Sequence, residues 1–185
     1  MNTWWTYFWP PISAGLLCGV LAGILAFRAP RVRVKAAQAE TDAALAQWKR
    51  RGIRAIVAGT AAAILFAALW HGPFGAADRF SIDVERTAGL VLAAYEAPPG
   101  LAARIHRGPL TRQLILSGPG DDFQRNEAAK ILSRISGVSS ASWTRSLGVP
   151  LIVEGAIGAV LGFILGLVLA YVVELRRRHN AQWNW

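Results

Sequence analysis

Charge is missing from three long stretches of this sequence. Met1 to Phe27 carries no charged side chain, Ala55 to Ala77 carries no Asp, Glu, Lys or Arg and one histidine, His71, and Gly148 to Val173 carries one charge, Glu154. Each stretch supplies the roughly twenty apolar residues that take a helix across about 30 Å of hydrocarbon. None has the polar face expected of a helix in a soluble bundle. The pattern argues against an ordinary soluble domain, as does a 185-residue composition that is 54% hydrophobic. Cysteine is nearly absent too: Cys18 stands alone, so no internal disulfide can form. The first apolar stretch lacks the positive n-region and the small-residue cleavage site of a secretory signal. Leu17 precedes Cys18 where a lipoprotein signal wants a small residue, so Cys18 reads as a packing residue of a first span.

The charges that are present fall at the ends of these stretches. Arg28, Arg31, Arg33, Lys35, Lys49, Arg50, Arg51 and Arg54 lie between the first two, against only Glu40 and Asp42, and Arg176, Arg177 and Arg178 follow the third. The net charge of +9 is therefore better explained by the positive-inside rule than by nucleic acid, which is not expected as a partner. The rule puts residues 28–54 and the C-terminus in the cytoplasm, and the N-terminus and the segment between spans two and three outside. The aromatic residues Trp4, Trp5, Tyr7, Phe8, Trp9, Trp70, Phe74 and Trp143 then gather at the outer interface, and Tyr171, Trp183 and Trp185 at the inner one, as headgroup-level anchors.

The expected organisation is an α+β membrane protein: three transmembrane helices with a small αββαβ extracytoplasmic domain inserted between the second and third. Residues 1–28 form the first helix with its aromatic anchor, 29–53 a basic cytoplasmic helical loop, and 54–77 the second helix. Residues 78–146 form the outer domain, 147–175 the third helix, and 176–185 a basic cytoplasmic tail. The loop from Val34 to Arg51 has no Gly or Pro and is rich in Ala, Gln, Glu and Lys, which predicts a helix.

Small residues recur every four positions in each span: Gly15, Gly19 and Gly23 in the first, Gly59 between Ala55 and Ala63 in the second, Gly158, Gly162 and Gly166 in the third. A four-residue spacing keeps them on one narrow helix face. Lipid gives apolar helices no hydrophobic reason to associate, so small residues that allow close backbone approach mark helix–helix interfaces. These seven glycines are the expected interface, within the chain or, for the regular stripe of span three, toward another subunit or a second copy. Glu154 lies on the Gly158 face, about 8 Å from the start of its span at 1.5 Å per residue. It is expected to reach the interface or to pair with His71 or Arg145, since a charge inside a span is costly without a partner.

In the outer segment, Phe80, Val84, Ala88, Val91 and Tyr95 follow helical spacing up to Pro98-Pro99-Gly100. Leu101, Ala103 and Ile105, then Leu110, Arg112, Leu114 and Leu116, alternate on either side of Arg107-Gly108-Pro109 and predict a hairpin. Asp121 with Gln124 makes a capping box for a helix with Ala128, Ile131, Leu132 and Ile135 on its buried side. Gly137 supplies the helix terminus, and Val138–Trp143 a last strand. No catalytic constellation stands out: His71 and His106 are the only histidines nearby, Asp121-Asp122 suit a helix N-terminus, and four metal ligands cannot be assembled. No enzyme activity, cofactor or metal is expected.

The segment from Leu114 to Gly118, the capped helix, and the run from Ala128 to Gly137 and Val138 resemble the second half of a BON domain, over about residues 110–144. The motif residues are Gly118 closing a strand and Gly137-Val138 opening the last one. The resemblance implies a small non-enzymatic αββαβ module of a bacterial envelope protein, attached to phospholipid or to envelope partners. A fainter resemblance, from Pro150 to Arg178, is to the last span of polysaccharide chain-length regulators. Together these readings give a non-enzymatic scaffold or accessory subunit of a bacterial inner-membrane complex, with membrane lipids and other membrane subunits as partners. The alternatives are a lipid- or cell-wall-binding sensor and a regulator of envelope polysaccharide synthesis.

Overall fold

A computed structural model of the chain describes residues 3–28, 38–146 and 148–183, the side chains of residues 3, 4, 38–41, 182 and 183 excepted. Its elements are α1 (Thr3–Phe27), α2 (Gln38–His71), α3 (Ala76–Ala94), β1 (Ala102–Arg107), β2 (Leu110–Ser117), α4 (Asp122–Leu132), β3 (Ser140–Ser142) and α5 (Leu151–Trp183). Three stretches are long and apolar enough to cross a membrane: Trp5–Phe27, Asp42–His71 and Leu151–Ala181. The basic residues Arg31, Arg33 and Lys35, the first residues of the expected loop helix and Trp185 lie outside the described residues.

The loop helix and the second span are one element. Nothing between Gln38 and His71 breaks a helix, because the stretch contains no Pro and its Gly52 and Gly59 are accommodated in the helix interior. The helix ends earlier than expected, at His71, where Gly72-Pro73 opens a turn closed by Gly75 N–H donating to the Gly72 carbonyl at 2.9 Å.

The chain divides into two compact units, Met1–Trp9 with Leu69–Gly155, and Pro10–Ala68 with Ala156–Trp185. The first unit is built on a three-stranded mixed sheet of order β1-β2-β3, with β1 antiparallel and β3 parallel to β2. Ile105 and Leu114 are register partners, and with Leu116 they face a core closed by Phe80, Val84, Ala88 and Leu92 of α3 and by Ala128 and Leu132 of α4. Burying an apolar side chain as completely as Phe80 or Leu132 (each 0% exposed) stabilises by about 2–3 kcal/mol, so these positions dominate the unit's stability. Glu85 of α3 seals the outer edge of β1: it accepts from the Ile105 amide at 3.0 Å and pairs with Arg107 at 3.0 Å. An edge strand so capped offers less of a template to another chain.

Helix α4 starts as its capping box dictates. The Gln124 amide donates to Asp121 Oδ1 at 2.7 Å and the Asp121 amide to Gln124 Oε1 at 3.1 Å. It ends at Leu132, before Ile135 and Gly137. Gly137, with φ 95°, instead turns the chain into β3. That strand is shorter than the expected Val138–Trp143, since only Ser140–Ser142 pair with β2.

The second unit is a bundle of α1, α2 and α5. The pairs Gly15–Ala159, Gly19–Phe163 and Gly23–Ala170 advance together along both chains, so α1 and α5 run parallel; Gly52–Ala26 and Gly59–Ala22 advance oppositely, so α2 runs back. At its centre lie Ala63, Ala67 and Ala159, with Cys18 beside them. The surface of the bundle is apolar, with Leu17, Leu21, Val57, Leu65, Leu161 and Val173 each about half exposed or more.

Candidate functional site

In the bundle, the seven glycines expected to form helix–helix contacts all face another helix of the same chain. A Cβ built at Gly15 or Gly19 would collide with the backbone carbonyls of Ala159 or Phe163, and one at Gly162 or Gly166 with those of Ile12 or Leu16. The glycines of α1 thus meet backbone of α5, and those of α5 meet backbone of α1. Gly23 leaves room for the Ala170 methyl, Gly59 for the Phe163 ring (2.8 Å from an added Cβ), and Gly158 only for the Ile12 side chain at 3.2 Å. At the far end of the bundle, Phe27 and Tyr171 stack edge to face at 5.5 Å, and Arg178 donates to the Phe27 carbonyl at 2.8 Å. That carbonyl is one of the four acceptors that a helix C-terminus leaves open.

In the sheet-containing unit, several aromatic residues expected at a membrane interface belong to the protein core. Tyr7 and Phe8 are 8% and 3% exposed. Tyr7 stacks on Phe80 at 5.3 Å, and its hydroxyl donates to Asp83. Its carbonyl accepts from Trp70 Nε1 at 3.0 Å. The last bond follows from the sequence: Pro11 has no N–H for the carbonyl four residues back, so the Tyr7 carbonyl needs another donor. Trp143 lies against Arg125, with the guanidinium 5.0 Å from the ring centre. Trp5, Trp9 and Phe74 stay exposed, as interface anchors would. Amphipathic rings suit both settings, and composition alone does not separate them.

Glu154 pairs with neither of its expected partners. Its Oε2 lies 2.7 Å from Arg112 Nε. Arg112 shares the strand phase of Leu110, Leu114 and Leu116, so its guanidinium leaves β2 on the core side, where a counter-charge is needed. A basic residue at an inward-phase strand position is the sequence signal for this pair. His71 packs instead on Phe8 (ring centres 5.5 Å apart) and over Gly155, where an added Cβ would stand 2.6 Å from Nδ1. Arg145 lies elsewhere, at the sheet face described below. Of the motif residues, Gly118 has φ 127° and allows the Leu101 Cα to approach within 2.8 Å of where its Cβ would be. Val138 is half-buried against the core, beside Gly137.

One residue with no expected role organises the other sheet face. Gln113 is 1% exposed. It donates through Nε2 to Ser142 Oγ (2.8 Å) and the Thr144 carbonyl (3.1 Å), and accepts at Oε1 from the Ser146 amide (3.2 Å). A buried glutamine with three bonds clamps the segment that follows β3. Among the described residues no group of three or more His, Cys, Asp or Glu is arranged to hold a metal ion. Compared with known protein families, curated proteins and solved structures, the chain matches none.

Proposed function

We propose that the chain is an integral protein of the bacterial inner membrane, a non-enzymatic scaffold or accessory subunit that docks a larger complex through its outer domain. The observation that carries the reading is the make-up of the sheet-containing unit. Its core draws on Tyr7 and Phe8 of α1, on α3, α4 and the sheet, and on Leu151 of α5. A domain that takes core residues from the starts of both α1 and α5 is suited to hold a partner at the membrane surface. The order helix, strand, strand, helix, strand, with Gly118 and Gly137 at the turns, supports the BON-like αββαβ reading. The apolar bundle surface supports membrane insertion, and the arginines at the inner helix ends support an N-terminus outside and a C-terminus inside. Because the glycine stripes are occupied within the chain, contact with other subunits falls to the domain and to the outward apolar faces.

Affinity purification in a mild detergent, followed by identification of co-purifying proteins, tests this. Stoichiometric membrane partners are expected; a chain that runs alone as a monomer would sink the accessory-subunit reading.

A further inference from the structure

The face of the sheet opposite the helices carries a basic groove. Arg104 and Ile115 are register partners on that face, and both line a groove with a volume of about 380 Å³, lined also by His106, Arg107, Ser117 and Arg145. That volume lies within the usual range for small-ligand sites. No carboxylate lines it. Arg107 is paired with Glu85, which leaves Arg104 and Arg145 as two positive charges with no partner among the described residues.

The groove is built, not merely a place where arginines happen to sit. Three other arginines of this unit are engaged: Arg79 lies over Trp70 and donates to the Phe74 carbonyl, Arg112 pairs with Glu154, and Arg125 lies over Trp143; Arg86 and Arg134 stand outside the groove. Arg145 is held from both sides, because Gln113 bonds the carbonyl of Thr144 and the amide of Ser146. The segment's position on the sheet is thus fixed by a buried side chain, which lowers the entropic cost of ligand capture. Two uncompensated guanidinium groups match the charge of a phosphate dianion, and the planar fork of arginine matches its oxygens two at a time.

We propose that this sheet face binds a phosphate-bearing ligand, gripped by Arg104 and Arg145. The inference goes beyond the scaffold reading and does not depend on it. The same chemistry is offered by a phospholipid headgroup and by a soluble phosphate compound, and two probes separate them.

The full-length chain in an uncharged detergent is titrated calorimetrically with inorganic pyrophosphate and, separately, with dihexanoyl phosphatidic acid. The comparison is between Arg104→Gln/Arg145→Gln and the control Arg86→Gln/Arg134→Gln, which removes equal charge outside the groove. The basic stretch 28–54 contributes a background common to all variants. The groove variant is expected to bind at least one probe about tenfold or more weakly, with the control unchanged. Tighter binding of the phosphatidic acid assigns a headgroup, and tighter binding of pyrophosphate a soluble ligand. Equal affinities in the two double variants for both probes, or no binding by the native chain, would overturn the proposal. Should the double variant fail to fold, Arg145→Gln set against Arg134→Gln gives the same reading.

Discussion

Replacing Gly162 by Ala should loosen the bundle far more than the same change at Gly158, four residues earlier on the same stripe. At Gly162 the new methyl carbon would lie 3.0 Å from the Ile12 carbonyl carbon, 3.1 Å from the Leu16 nitrogen and closer still to the Ile12 oxygen. All three are backbone atoms, so no rotamer change relieves the clash, and α1 must retreat by on the order of 1 Å to restore the roughly 3.5–4.0 Å spacing of ordinary contact. A radial gap of that size forfeits a quarter to a half of each van der Waals contact. The retreat is felt along the whole seam, at Gly15, Gly19 and Gly166 as well. Overpacking of this kind costs about 1–3 kcal/mol, and a backbone-on-backbone clash belongs at the upper end. At Gly158 the methyl meets only Ile12 Cγ1, at 3.2 Å, and the side chain can turn aside for less than about 1 kcal/mol. Thermal unfolding of both variants in one mild detergent measures the difference. With about 2–4 °C per kcal/mol for a chain of this length, Gly162→Ala should lower the midpoint by roughly 5–10 °C and Gly158→Ala by less than about 3 °C. Equal midpoints would refute the parallel α1–α5 contact. If Gly162→Ile altered the oligomeric state without loss of stability, the stripe would face another chain.

Glu154→Gln should cost about 2 kcal/mol, between the limits for exposed and buried pairs, and Arg112→Met with Glu154→Leu should recover most of it in the same melting assay. Trp70→Phe removes the donor to the Tyr7 carbonyl and should cost about 1–3 kcal/mol, read from denaturant midpoints. Gly118→Ala, at φ 127° against the Leu101 backbone, should destabilise by about 2 kcal/mol or more. Gly89→Ala, on a helix with nothing within 4 Å, should stabilise by about 0.5–1 kcal/mol; thermal midpoints that fail to separate the two glycines would refute the turn geometry. In a Cys18→Ala background, a membrane-impermeant maleimide should label Ser139→Cys from outside and His179→Cys only after permeabilisation; the reverse pattern would invert the topology.

The apolar helices were legible because absence of charge over some twenty residues has few physical causes. The hairpin was legible from its period-two alternation, and α4 from the Asp121–Gln124 box. The boundaries at residue 54 and at Gly137 were not. A good helix-forming segment and an apolar one join without any mark between them, and a glycine of positive φ serves a turn as well as a helix end. The fates of Tyr7, Phe8 and Trp143 were hidden for a different reason. Whether an aromatic ring meets lipid headgroups or protein depends on what the distant α3 and α4 place beside it, and local pattern carries no such information. Gln113 is the extreme case: a polar residue amid an alternating strand reads as solvent-facing until the segment that covers it is in place.

Three small faces would be a surplus in a minimal bundle whose helices pack through ordinary side chains. The surplus disappears once α1 and α5 run parallel with backbone against backbone. A carbonyl of one helix can sit where the other would carry a Cβ only if that position is glycine, and the requirement holds in both directions, so Gly15 and Gly19 are as necessary as Gly162 and Gly166. Gly59 is needed separately, to admit the Phe163 ring at 2.8 Å from its missing Cβ. For helices long and apolar enough to cross a membrane, such contact supplies the attraction that lipid, as a solvent for apolar side chains, would not. The stripes therefore account for the fold of the bundle and leave nothing over to specify a partner. Among the features not spent on folding are the arginines Arg104 and Arg145, the second on a segment that Gln113 clamps to the sheet, and recognition is to be sought there first.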